Sequence, residues 1–103
     1  MALTRSFKET VRAHVRRDPK FAEALFKEAI ELMLDGDVDT GKETLRDYIN
    51  ATIGFRKLAR KTDIKPESLM RMFGPAGNPT TRNLFAVVKQ LQRATGVKLE
   101  LAR

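Results

Sequence analysis

Apolar residues recur along this chain at helical spacing, and each run of them breaks at a residue that ends or restarts a helix. Phe7, Val11 and Val15 stand four apart in a basic segment and predict a short amphipathic helix over 6–17. Asp18 and Pro19 mark a restart, because an Asp side chain accepts from the first free helical N–H groups and Pro suits the first helical position. Phe21, Leu25, Ala29, Leu32 and Met33 then keep helical spacing, and Phe26 and Ile30 widen the stripe. A mostly buried second helix is expected, ended by Gly36. In the linker DGDVDT, Thr40 and Glu43 have the T-x-x-E spacing of a capping box, so a third helix follows from there. Leu45, Tyr48, Ile49 and Ile53 supply its apolar face, and Gly54 closes it.

From Phe55 to Phe73 the runs become short. One centres on Leu58 and Ala59, the other on Leu69, Met72 and Phe73, with a break at Asp63, Ile64 and Lys65. Two short helices and a tight turn fit this best. After the Gly- and Pro-rich turn GPAGNP, with Asn78 or Thr80 as cap, Leu84, Phe85, Val87, Val88 and Leu91 predict a strongly apolar helix that ends at Gly96 and packs beneath the pair. Val97, Leu99 and Leu101 then alternate with Lys98 and Glu100, a period of two that predicts a strand. That strand either lies against the core or pairs with its copy in a second subunit.

The expected fold is all-α: a compact bundle of five to six short helices containing a helix-turn-helix, with a short C-terminal extended strand. At 103 residues the chain reads as a single domain. Its segments are a basic N-terminal helix (1–17), a helical extension (18–53), the helix-turn-helix core (54–96) and an extended tail (97–103).

Charge changes this picture. Residues 1–17 carry five basic and one acidic side chain, 18–53 carry four and nine, and 54–103 carry eleven and three, giving +4, −5 and +8 and the overall +7. A polyanion is the natural partner of such a C-terminal half, because phosphates neutralised by Lys and Arg release counterions. The absence of cysteine removes disulfides and thiolate metal sites, and no stretch has the length and apolarity of a membrane span, so a cytoplasmic protein with no membrane partner is expected.

If 55–73 is a helix-turn-helix, Ala59 is the small residue facing the second helix and Asp63 is the turn residue that tolerates a left-handed backbone. Ile64, Leu69 and Met72 are its inward anchors. Glu67, Met70 and Arg71 then fall on or near the exposed face of the second helix, with Lys65 and Pro66 at its start. Pro66, Glu67, Met70 and Arg71 are therefore base-reading candidates. Arg71 can bond both major-groove acceptors of guanine, or it pairs with a phosphate, or it is solvated. Arg56, Lys57, Arg60, Lys61 and Lys65, with Asn78, Thr80, Thr81 and Arg82 after the Gly-Pro turn, are phosphate-contact candidates.

Other chemistry finds little support. Asp35, Asp37 and Asp39 alternate as in a calcium loop, but Thr40 stands where that loop needs Gly and Arg46 where it needs Glu. Met70, Met72, Phe73 and Phe85 read as core rather than as a ligand pocket. His14 is the one histidine and has no recognisable serine or carboxylate partner, so no catalytic residue, metal or cofactor is expected and the chain reads as a non-enzyme.

The run LARKTDIKPESLMRMFGPAGNPTTRNLFAVVKQL resembles the helix-turn-helix of lambda-repressor-type bacterial regulators. With DPKFAEAL before it, and SLMRMFG and GNPTTRNL in order, residues 18–101 are similar to the antidotes of addiction modules, the HigA-like antitoxins. The resemblance implies a dimeric regulator of its own operon that binds double-stranded DNA, with a RelE-like ribonuclease toxin as a second partner. Asp63 stands where that family's turn usually has Gly, and Lys65 replaces its small capping residue. The leading expectation is a sequence-specific DNA-binding transcriptional regulator. The rival is a protein-interaction module whose helix-turn-helix is only a scaffold.

Overall fold

The computed structural model describes residues 5–100, and side chains over 9–100. These residues form six α-helices: α1 (Arg5–Arg17), α2 (Pro19–Leu34), α3 (Val38–Ala51), α4 (Phe55–Thr62), α5 (Pro66–Met72) and α6 (Thr81–Thr95). The described residues are all-helical apart from turns and the tail. Contacts divide the chain into two compact units, Met1–Thr52 and Ile53–Arg103. No helix among the described residues is long and apolar enough to cross a membrane.

In the first unit α2 packs along α3, and α1 contacts both. Asp18 caps α2 as its sequence suggests, its Oδ1 accepting from Lys20 N at 3.0 Å and from Phe21 N at 3.3 Å. Gly36, at φ +94°, closes the helix in a conformation that side chains resist. α2 is less buried than its stripe predicts, with only Phe26 and Ala29 fully inside. Its wide stripe spreads around the cylinder, so Phe21, Leu25, Ile30 and Leu32 are half-buried at the flanks. Phe26 stacks on Tyr48 of α3, centroids 4.8 Å apart, and both rings are fully buried. α3 starts earlier than Thr40. Asp37 is its cap, accepting from Thr40 N at 3.4 Å, in place of the expected Thr40–Glu43 box. Gly41 admits the α2 backbone: a side-chain carbon there would lie 2.9 Å from the Ala29 carbonyl oxygen. Ile53 lies past the end of α3, and Gly54, at φ +80°, begins α4 rather than closing α3. Val11 is half-buried and Val15 buried, while the Phe7 side chain lies outside the described residues.

In the second unit α4 packs against both α5 and α6. Leu58, Leu69, Phe73, Val87 and Leu91 form its buried core, and Phe55 and Phe73 meet at 6.4 Å with rings tilted by 48°. Thr80 caps α6, its Oγ1 accepting from Asn83 N at 3.1 Å, and Gly96 ends it at φ +76°. Phe85 is not core but 63% exposed. It stands about 100° around the helix from Leu84, beyond the arc that Val87, Val88 and Leu91 bury. After Gly96 the described residues hold no strand. Val97 and Leu99 are half-buried and Lys98 and Glu100 exposed, so the alternation survives without a ladder. Instead Leu99 N donates to Gln92 Oε1 at 2.7 Å, tying the tail back to α6; Leu101 lies outside the described residues.

Candidate nucleic-acid interface

α4 is strongly amphipathic. Phe55, Leu58 and Ala59 are buried, while Arg56, Lys57, Arg60 and Lys61 are exposed. Its end is defined by Asp63, the only non-glycine residue at positive φ among the described residues, with φ 58° and ψ 34°. The amides of Asp63 and Ile64 both donate to the Ala59 carbonyl, the latter at 3.2 Å, which closes the helix in the manner of a Schellman cap. The chain then turns within Ile64 and Lys65 and enters α5 at Pro66, whose fixed φ suits a first helical position. Lys65 caps α5 with its backbone only, and no side-chain hydrogen bond forms.

Leu69 is the fully buried anchor of α5, while Ile64 and Met72 are half-buried. Asn83 of α6 approaches Met72, Nδ2 to Sδ at 3.9 Å. With Leu69 and Phe73 inward, Glu67, Met70 and Arg71 are exposed, and Met70, read as core beside Met72 and Phe73, instead keeps 48% of its surface. A cleft opens between α4 and α5. It is lined by Ala59, Asp63 and Ile64 together with Arg56, Arg60, Lys65, Pro66, Glu67 and Met70.

The cleft sorts the sequence candidates. Three expected phosphate contacts and three expected base readers share it, but Arg71 lies on the outer face of α5 rather than among its lining residues. Lys57 does not line it, and Lys61 belongs elsewhere, to a smaller recess shared with Gln90, Arg93 and Ala94. Helical geometry explains the division, since Arg56 and Arg60 form one row along α4 and Lys57 and Lys61 a second row about 100° away. Asn78, Thr80, Thr81 and Arg82 are exposed around the start of α6 and line neither depression. Thr80 uses its oxygen as a cap, which leaves its hydroxyl proton able to donate. Arg93 and Gln90 were not candidates from the sequence. Lys89 and Arg93, four apart on a helix, were the available signal.

Outside the second unit, His14 stacks on Phe21 with centroids 4.1 Å apart and planes 11° from parallel. Its Nε2 also lies 3.6 Å from Asp18 Oδ2, a carboxylate partner that sequence reading did not give it. That carboxylate is at the same time the α2 cap. The described residues contain no group of three or more His, Cys, Asp or Glu side chains arranged to hold a metal ion. Compared with family models, with curated proteins and with solved structures, the chain matches none of them.

Proposed function

We propose that this chain is a sequence-specific regulator of transcription that binds double-stranded DNA, with α4, the Asp63 turn and α5 acting as a helix-turn-helix. The observation that carries the reading is the cleft: Arg56, Arg60 and Lys65 stand beside a second helix whose exposed face presents Glu67, Met70 and Arg71. The cations hold phosphates and set the register, while the side chains of α5 meet base edges in the major groove. The +8 charge of residues 54–103 supports the same partner. Similarity of DPKFAEAL, SLMRMFG and GNPTTRNL to HigA-like antidotes supports a homodimer that regulates its own operon and, as a second partner, a RelE-like toxin.

The test is a titration of fluorescent duplex DNA at two salt concentrations. Three phosphate contacts on one protomer reduce affinity about 40-fold between about 50 and 200 mM salt, and the six of a bound dimer about 2,000-fold. Weak binding that changes little over this range would overturn the reading. The competing interaction module is favoured by one observation, the exposure of Leu34 (72%) and Val38 (42%) beside Asp35, Asp37 and Asp39. Co-purification of a partner that Leu34→Ser abolishes, without salt-dependent DNA binding, would select it.

A further inference from the structure

Glu67 is out of place on a face that meets phosphates. It is exposed and lines a cleft walled by Arg56, Arg60 and Lys65, where a carboxylate opposes the charge that attracts a polyanion. The cleft's other carboxylate, Asp63, has a backbone reason to be there, its left-handed turn. Glu67 has none. Arg71, one turn further along α5, is exposed as well, and neither side chain is engaged in an ion pair among the described residues.

Building on the DNA-binding reading, we propose that Glu67 is a specificity-determining residue whose carboxylate accepts a hydrogen bond from the exocyclic amine of cytosine. A carboxylate is acceptor-only, and the major groove offers it two donors, cytosine N4 and adenine N6. Adenine carries an acceptor, N7, beside its amine and repels the second carboxylate oxygen; cytosine does not. The neighbouring side chains complete a local code. Met70, half exposed in the same cleft, suits the methyl group of thymine, and Arg71 suits the two acceptors of guanine. Four residues of helix advance about 6 Å, and one base-pair step is about 3.4 Å, so Glu67 and Arg71 address pairs no more than two steps apart. The preferred half-site therefore contains a cytosine and a guanine within two steps, with a thymine next to or between them.

A carboxylate in the first turn also steadies a helix electrostatically, a role blind to DNA sequence. Selection of bound duplexes from a randomised library separates the two. The full-length wild-type chain enriches cytosine at one position. Glu67→Gln moves that preference to adenine, whose N6 and N7 a carboxamide matches, and Glu67→Ala loses the preference without gaining another. Discrimination for cytosine, titrated on the selected duplex and its single-base variants, falls about 10- to 100-fold in both variants. Binding to random duplex holds or strengthens, because a negative charge is gone. If both variants enrich the wild-type sequence with unchanged discrimination, the role of Glu67 is overturned and the DNA-binding reading stands. A wild type that binds DNA yet enriches no sequence overturns the role of Glu67 and the sequence-specific part of that reading. A wild type that binds no DNA overturns both.

Discussion

The carbonyl oxygen of Arg71 occupies the space that a side chain on Gly77 would need. A β-carbon at Gly77 would collide with that oxygen and lie 2.8 Å from its carbonyl carbon and 2.9 Å from that of Met72. The turn after α5 is thus folded against the last residues of α5, with Gly77 N donating to Gly74 O at 3.1 Å. Backbone cannot swing aside as a flexible side chain does. Gly77→Ala is expected to cost about 1–3 kcal/mol, the range for forced overpacking, in urea denaturation. The same change at Gly74, where the nearest atoms would be 3.4 Å away, is expected to cost clearly less.

Asp63 lends itself to a substitution series. Its left-handed backbone costs a residue with a β-carbon about 1–2 kcal/mol, less for Asp or Asn with local hydrogen bonding, and nothing steric for Gly. Stability by chemical denaturation is expected to run Gly at least equal to Asp, then Ala, then Val. Glycine also loosens the unfolded chain, which keeps its advantage over Asp below about 1 kcal/mol. An Asp63→Val variant as stable as wild type would contradict the turn geometry.

The helix caps are expected to rank by their bonds. Asp18 accepts from two amides, Thr80 from one at 3.1 Å and Asp37 from one at 3.4 Å. Replacing each with alanine costs about 0.5–2 kcal/mol, with Asp18 at the upper end and Asp37 at the lower. Thr40→Ala, at the cap position expected from sequence, is predicted to change the thermal midpoint less than Asp37→Ala does.

The two rows of cations on α4 differ in what they adjoin, and the proposed interface makes them differ in effect. Alanine at both Arg56 and Arg60 is expected to weaken binding to every duplex alike and to lower the salt slope by about two per bound protomer, one per lost phosphate contact. Alanine at Lys57 and Lys61 is expected to lower it less, because these residues stand outside the cleft. Equal slopes for the two double variants would place the phosphates elsewhere.

Arg71→Ala tests the outer face of α5. A bidentate guanine contact is worth about 1–3 kcal/mol on a specific site and nothing on random sequence. Equal losses on both, measured at fixed salt, would make Arg71 a phosphate contact.

What sequence revealed and what it hid follow from the range of the forces involved. Asp18-Pro19, the left-handed Asp63 and Gly96 were legible because capping and backbone sterics act over a few residues. Phe85 was misread because apolarity gives no bearing around a helix axis; only packing partners decide which flank of a wide stripe is inside. Asp37 displaced the Thr40–Glu43 box for a local reason, since two acceptors compete for one helix start and Asp is the stronger N-cap of the two. The division of Arg56 and Arg60 from Lys57 and Lys61 was implicit in helical rotation, but it acquired meaning once α5 and α6 stood on different sides of α4. Strand periodicity in the tail was real, yet alternation records only which side chains face in. Gln92 Oε1 takes the Leu99 amide that a ladder would have used.

The junction between Thr52 and Ile53 is also an electrical one. Nine basic and ten acidic residues leave the first unit at −1, while eleven and three leave the second at +8. Within a screening length of about 10 Å, a polyanion is drawn by the +8 of the second unit, whereas in the first the +4 of residues 1–17 is countered by the −5 of residues 18–52. On the proposed DNA-binding function, encounters are biased toward the half that carries α5 before any contact forms.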